Sequence, residues 1–486
     1  MVGLALPAVV GVVAVPFLIK GIGLDRFALL TLVWLVVGHA SAFDLGLGRA
    51  LTHSVAERLG RGERDSVGTL VSTALVLVVG AGGVAGVGLA LAAEPLVRHV
   101  LNVPAGLEGE AIVGFRLVAL TVPAITSTSA LRGVLEAYGR FDVSNAIRVP
   151  VGSLVTLGPV LLLPFTDRFD AMVATLVVVR ASGALAYGAA VYGRGGIPVS
   201  GPSLAFVGEL VRFGGWISGS TLGTTAIEYA SRFLIGAVLP VAAVAHFSTP
   251  ADLVYRLLIL PTAVIGVLFP SLSAALAQDQ ARGAALIRRS ARAILAVFLP
   301  VAAATICFAE EGLALWVDAA FAAEAGAPLR WLAAAILLNG IATVPAVALV
   351  SVGRPEWKSI PVIVEAPFFI AAVWAVLQAG YGPTGVAIVY AVRMGVDFAA
   401  MAALCGRFVA GTADALWSTL ATAVAFSLAV GALSAVEPAA WRGALLAGAV
   451  VAGLTFCWVY LLDDSDRSDL GARIGAVWER ITSGGR

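Results

Sequence analysis

The chain is a succession of apolar runs about 20 residues long, broken by short charged stretches. A run of that length spans the roughly 30 Å hydrocarbon core of a bilayer at the helical rise of about 1.5 Å per residue. Within lipid only helices and closed barrels satisfy their own backbone, and a barrel needs about ten-residue alternating segments that do not occur here. The chain therefore reads as an all-α integral membrane protein of about 14 transmembrane helices. The spans fall at approximately 2–19, 27–48, 67–92, 111–131, 143–165, 169–192, 213–239, 243–276, 284–309, 327–351, 358–379, 383–405, 415–436 and 440–462. The 243–276 stretch is long enough to include an interfacial turn. Composition agrees: 60% of the residues are hydrophobic and 13% charged, against about 45–50% and 25% in soluble domains.

The charges test the topology. Of the 31 Lys and Arg residues, twenty lie in loops after even-numbered spans and in the tail, among them Arg49, Arg58, Arg61, Arg64, Arg140, Arg288 and Arg354. Seven lie on the other side, including Lys20, Arg26, Arg116 and Arg330. The positive-inside rule then places both termini in the cytoplasm, and the chain is expected to be a multi-pass protein of the cell inner (cytoplasmic) membrane. The apolar start without a charged leader reads as a retained first span. The net charge of +1 leaves no basic face for nucleic acid. Cys307, Cys405 and Cys457 sit in apolar spans without CxxC spacing and read as small buried hydrophobes. Short outer loops place the function within the membrane.

A weak internal repeat divides the chain. Gly139-Arg140, followed by Phe141-Asp142-Val143-Ser144-Asn145, echoes Gly353-Arg354 followed by Pro355-Glu356-Trp357-Lys358-Ser359. The spacing fits an N-terminal six-helix lobe over 1–200, a C-terminal six-helix lobe over 201–410, two additional transmembrane helices over 411–462 and a cytoplasmic tail over 463–486. Repeated lobes around a midplane cavity are a common transporter architecture.

Two stretches carry a resemblance. The first is Gly23-Leu24-Asp25-Arg26-Phe27-Ala28-Leu29-Leu30, leading to Phe43-Asp44-Leu45-Gly46-Leu47-Gly48-Arg49-Ala50-Leu51. The second is Asp252-Leu253-Val254-Tyr255-Arg256-Leu257-Leu258-Ile259-Leu260-Pro261, continuing to Leu268-Phe269-Pro270-Ser271-Leu272-Ser273. The first resembles the opening of the polysaccharide-transporter (O-antigen flippase-like) family of the multidrug/oligosaccharidyl-lipid/polysaccharide exporter superfamily. The second resembles an eighth-helix signature shared with lipid II flippases. The resemblance implies alternating access by two lobes that move a polyprenyl-diphosphate-linked glycan from the inner to the outer leaflet. It also implies membrane lipids, a polysaccharide polymerase and chain-length machinery as partners. A first span beginning almost at Met1, without a preceding basic segment, departs from the family pattern.

A diphosphate carried through a low-dielectric slab needs cations, and the planar donors of Arg match phosphate oxygens. Arg180, Arg232, Arg256 and Arg393 lie at membrane depth. Glu228 with Arg232 and Arg393 with Asp397 are spaced four apart, one face of a helix, and read equally as structural ion pairs or as parts of a site. Arg180 and Arg256 show no local partner, so each reads as facing a cavity or a neighbouring helix. Arg256 also occupies the family motif. Asp44 and Arg49 are five apart and do not share a helix face, so Asp44 reads as paired elsewhere or as lining the cytoplasmic mouth, where Arg49, Arg58, Arg61 and Arg64 read as a landing zone for a diphosphate head group or as the charge that sets orientation. Tyr255, Trp216, Tyr229 and Phe247 are candidates for stacking on sugars. His39 and Glu365 are candidates for H+ or Na+ coupling; the bland reading of either is a satisfied buried residue. Lys20, Arg26 and Arg116 read as snorkelling to head groups.

No GxxxxGK[ST], HExxH or clustered His/Cys ligands occur, so the reading contains no catalytic residue, metal site or organic cofactor. The alternatives are a cation-coupled multidrug exporter of the same superfamily and a membrane polysaccharide polymerase or ligase. The first implies twelve spans and a first-helix carboxylate, and the second a sizeable arginine-bearing outer loop; neither pattern is present.

Overall fold

The computed structural model describes residues 2–39, 43–44, 46–194, 197–198, 200–434, 443–444, 446–448 and 450–451. The tail 463–486, most of the span expected at 440–462, Cys457, Trp441, Trp458 and the side chain of Trp216 lie outside the described residues. Sixteen α-helices follow in order: α1 (Val2–Ile22), α2 (Leu24–His39), α3 (Leu47–Arg61), α4 (Val67–Pro95), α5 (Glu108–Ala137), α6 (Phe141–Leu162), α7 (Phe169–Gly188), α8 (Val207–Val238), α9 (Ala242–Tyr255), α10 (Ile259–Gln278), α11 (Gln280–Cys307), α12 (Ala309–Trp316), α13 (Ala319–Ser351), α14 (Glu356–Gln378), α15 (Gly382–Phe408) and α16 (Ala413–Leu433). Among the described residues there is no strand, only an isolated bridge between Asn102 and Pro240. Nine helices among the described residues are long and apolar enough to cross a membrane. The other five expected spans fall at α1, α2, α8, the α9–α10 stretch and 440–462, which are shorter, interrupted or partly outside the described residues.

Two expectations change. The span expected at 27–48 is not one helix: α2 ends at His39, and Gly46 takes a left-handed φ of 72° before α3 begins. The basic stretch after it is not a loop but the body of α3. Leu47, Ala50, Leu51, Ser54 and Val55 repeat at helical spacing and are buried; Arg49 stands on the opposite face, while Arg58 continues the face of the stripe one turn beyond Ser54. Further on, the 243–276 stretch is interrupted where Arg256–Leu258 form a single 3-10 turn between α9 and α10. A break of this kind is tolerated at membrane depth only where protein or a polar cavity surrounds it.

Gly139 and Gly353, which marked the internal repeat, perform the same task. Each has a positive φ (71° and 76°) and closes a long helix. At the first, Gly139 N donates to Glu136 O (3.0 Å) and Arg140 N to Leu135 O (2.9 Å); at the second, Gly353 N donates to Val350 O (3.1 Å) and Arg354 N to Leu349 O (2.9 Å). This double bond pattern satisfies the orphan carbonyls of the last turn and favours glycine in the left-handed position.

The chain divides into two compact units. The first comprises Met1–Thr249 with Ala366–Pro383. Its core gathers Leu51 and Val55 of α3, Leu70, Val71 and Val78 of α4, Val134 and Leu135 of α5, and Tyr187 of α7. At α4 against α5 the backbones touch: a Cβ on Gly86 would lie 2.6 Å from Ala119 O, and one on Gly82 would lie 3.0 Å from Pro123 Cα. Small residues let helices approach this closely where lipid supplies no hydrophobic drive between them. Arg26 of α2 does not snorkel as expected. It binds Glu110 of α5 through Nε and Nη2 (3.1 and 3.0 Å) and Asp167 through Nη1 (3.0 Å), and Glu110 also accepts from Phe169 N (2.9 Å). Arg116 likewise pairs with Glu94 at 3.2 Å.

The second unit comprises Pro250–Glu365 with Thr384–Arg486. Its centre is α13, whose apolar stretch is 78% buried, against 22% for α16 at its flank. Phe298 of α11 packs on Gly340 of α13, and Cys307 and Cys405 are buried thiols outside any disulfide.

A substitution separates the close approach from helix propensity. Gly86→Leu is expected to lower stability by about 1–3 kcal/mol through overpacking. Gly83→Ala, where an added Cβ meets nothing within 4 Å, is expected to be neutral or slightly stabilising. Melting temperatures of the purified proteins in one detergent distinguish the two.

Candidate functional site

Each unit holds one cluster of charged and aromatic side chains within its helices. In the first unit the cluster forms where α2 stops against the last third of α8. His39 is the last residue of α2, and its Nε2 lies 2.8 Å from Glu228 Oε2. Its Nδ1 faces Leu35 O at 3.1 Å, one turn back. With Nδ1 protonated onto that carbonyl, the charge on Nε2 decides whether the contact to Glu228 is an ion pair or a neutral hydrogen bond. The His39 ring meets the edge of Tyr229 at 5.9 Å, and Tyr229 stacks on Phe233 at 5.7 Å with 9° between planes. Arg232 is 6% exposed and within electrostatic range of both His39 and Tyr229. The i, i+4 spacing had joined Glu228 to Arg232 and left His39 on its own; the structure joins His39 to Glu228 across two helices.

The second unit's cluster lies between α14 and α15. Arg393 Nε stands 3.2 Å from Glu365 Oε2, with side-chain exposures of 10% and 13%. The two groups are not aligned for a hydrogen bond, so this is a charge contact. Arg393 also covers the Tyr390 ring at 6.0 Å, and the hydroxyls of Tyr390 and Tyr255 are hydrogen-bonded. Asp397, one turn on from Arg393, lies within electrostatic range of both Arg393 and Glu365, and its Oδ1 is buried without a hydrogen-bond partner among the described residues. The local pairing of Arg393 with Asp397 thus becomes a three-membered group, in which Glu365 makes the short contact. Two carboxylates share one guanidinium at close range, and the Lys358 ammonium is within electrostatic range of Asp397, so the acids can exchange a proton or a small cation against nearby positive charge.

The isolated arginines differ. Arg256 has a local partner after all: it sits in the turn after α9, its Nε faces Asp252 O at 3.3 Å, and the Asp252 carboxylate is within electrostatic range. The spacing from Asp252 to Arg256 is the same i, i+4 signal used for the other pairs, and it was legible in the sequence. Arg180, near the middle of α7, has no ion pair among the described residues, and its Nε is buried without a hydrogen-bond partner.

At the end of the first unit where α3 begins, the expected mouth is more committed than its charge suggested. Asp44 is 5% exposed and accepts from Gly46 N at 2.8 Å, so it holds the turn into α3 and does not stand open to solvent. Arg49 points outward from α3. Arg58 binds Glu209 of α8 through Nη1 and Nη2 (3.0 and 2.8 Å), lies over the Phe206 ring at 5.0 Å, and shares Glu209 with Ser54 Oγ at 2.6 Å. Arg61 pairs with Glu57 at 2.6 Å. The arginine row therefore includes a latch between α3 and α8, and Arg58 and Arg61 are engaged within the protein.

The latch makes a pH prediction. The hydrogen bonds from Arg58, then that from Ser54, hold the Glu209 carboxyl down to about 2, below the roughly 4.3 of a free Glu. A depressed carboxylate contributes stability that is complete above its unfolded value and is lost as pH falls through its folded value. The difference in melting temperature between wild type and Glu209→Gln is therefore expected to be constant above about pH 5 and to shrink towards pH 2. A difference that does not change with pH would remove the latch's electrostatic role.

Comparison with known proteins fits this architecture. The family described as polysaccharide biosynthesis protein matches residues 55–322. A Shigella flexneri protein named as a candidate O-antigen transporter is 24% identical over 398 residues, covering 81% of this chain and 93% of its own. Among solved structures, an inward-facing multidrug resistance transporter of the MATE family in the MOP superfamily superposes with a TM-score of 0.70 at 17% identity, over 86% of this chain and 99% of its own. The lipid II flippase MurJ superposes with a TM-score of 0.69 at 9% identity, over 94% and 97%. The chain belongs to the polysaccharide biosynthesis protein family and has the all-helical membrane fold of the MOP-superfamily transporters.

Proposed function

We propose that the protein is a flippase that moves a polyprenyl-diphosphate-linked oligosaccharide from the inner to the outer leaflet of the cytoplasmic membrane, for surface polysaccharide synthesis. The observation that carries this reading is Arg180, a guanidinium in mid-helix with a buried Nε and no ion pair among the described residues. A charge at that depth is retained against a cost of several kcal/mol only where a partner or ligand meets it. A diphosphate is such a ligand, and Arg is the side chain whose fork fits it. A cationic drug, the cargo of the multidrug alternative, would be repelled by the same group. Family membership and the relative named for O-antigen transport support the substrate class.

In this reading the two units alternate access, the arginine-rich side faces the cytoplasm with both termini, and the paired acids Glu365 and Asp397 beside Arg393 carry the coupling H+ or Na+. His39 with Glu228 is the second coupling candidate. Arg256, Arg232, Tyr255 and Arg49 remain candidate contacts to the head group or its path, while Asp44 serves the turn into α3. A polymerase and chain-length machinery would receive the product.

Two measurements test the proposal. Arg180→Ala is expected to abolish surface glycan export at normal protein abundance, and Arg256→Ala to reduce it, with the Lys variants retaining part. Normal export by Arg180→Ala would remove the carrying observation. For coupling, Glu365→Gln is expected to make translocation in vesicles insensitive to an imposed proton or sodium gradient. A gradient response equal to wild type would discard the acidic group as the coupling site.

A further inference from the structure

We propose that a cavity in the first unit seats the isoprenoid chain of the lipid-linked substrate, beside the charged cluster and chemically distinct from it. The proposal rests on the flippase reading for the identity of the ligand, and on the cavity's own walls for its class. The cavity has a volume of about 380 Å³. Val36 of α2, Ala85 and Leu89 of α4, Phe233 and Leu234 of α8 and Ile370 of α14 supply most of its surface, and Tyr229 completes it.

Three observations select the occupant. The first is size: at about 30 Å³ per water-sized group, the space takes on the order of a dozen such groups, a few isoprene units rather than a whole lipid. The second is polarity. The lining is apolar on every contributing helix, so a sugar or a phosphate placed here would leave its hydrogen-bonding groups unpaired. The third is Tyr229. Its ring stands between two chemistries, with its edge to His39 and its face to Phe233. Its hydroxyl is buried without a hydrogen-bond partner among the described residues, a condition that costs free energy until an acceptor arrives. On one side of that ring lie Glu228, His39 and the buried Arg232; on the other lies hydrocarbon. A ligand that matches this order has an anionic head joined directly to a branched apolar chain. An isoprenyl phosphate has that form. A phospholipid interposes a polar glycerol ester region between phosphate and chain.

The test uses the full chain in nanodiscs with a farnesyl phosphate analogue that carries a photoreactive diazirine on its chain. Label is expected in the peptides that hold Ala85 to Leu89 and Tyr229 to Leu234. Unlabelled farnesyl phosphate is expected to compete roughly tenfold better than palmitoyl phosphate, the margin of about two well-packed apolar groups. Ala230 of α8 also lines the cavity; Ala230→Leu, which fills that wall, is expected to cut labelling by a similar factor, while Val178→Leu on the exposed face of α7 leaves it unchanged. If Ala230→Leu does not fold, the wild-type label map and competition series decide alone. Label spread over exposed positions such as Val178 overturns the proposal. So does equal competition by palmitoyl phosphate, which would mark an ordinary acyl-chain site, or displacement by tetraphenylphosphonium, which would mark a pocket for lipophilic cations. Cavity labelling combined with normal glycan export by Arg180→Ala would sink the flippase reading alone. Lost export without cavity labelling would sink the chain seat alone.

Discussion

A charge in hydrocarbon is costly, and that cost organises the membrane-embedded part of this protein. A chain that is 60% hydrophobic has no need of ionisable groups to remain in lipid. Each such group at membrane depth must therefore be matched by a neighbour, a proton or a ligand. Glu228 is matched by His39, Glu365 by Arg393, and Glu110 by Arg26, each across two helices. Among the described residues Arg180 is the group that such pairing leaves over, and Glu365 and Asp397 gather beside Arg393 and Lys358; the functional reading grows from these two places.

The same low dielectric governs the backbone. Free N–H and C=O groups are expensive in lipid, so an interrupted helix persists where side chains can complete its hydrogen bonds. The end of α2 at His39 and the turn at Arg256–Leu258 both place an ionisable side chain at an interruption. At the first, Asp44 supplies the bond that the Gly46 turn needs before α3 begins. Breaks and charges coincide because the polar surroundings that tolerate one also tolerate the other.

Helical class, the approximate positions of the long spans and the two glycine-arginine helix ends were legible because each depends on local pattern. Apolar run length answers to bilayer thickness, and a left-handed residue after a long helix answers to glycine. The i, i+4 rule placed Glu228 with Arg232 and Arg393 with Asp397 on shared faces, which the helices uphold. It could not show that His39 and Glu365 are the groups making the short contacts, because those lie 189 and 28 residues away from their partners and are reached through helix packing. The helix α3 was hidden by its charge: four arginines in a short stretch look like a loop until the buried stripe of Leu47, Leu51 and Val55 is followed along it.

The sequence by itself determined that this chain is a helical membrane protein, where its charge concentrates along the chain, and which few ionisable residues lie at membrane depth, because hydrophobic length and charge cost act residue by residue. The tertiary structure decided which of those residues meet. It committed Arg58 to Glu209, joined His39 to Glu228, left Arg180 without an ion pair among the described residues, and set Tyr229 between a charged cluster and an apolar cavity. Those outcomes depend on crossing positions of helices distant in sequence, where a shift of one turn exchanges every partner.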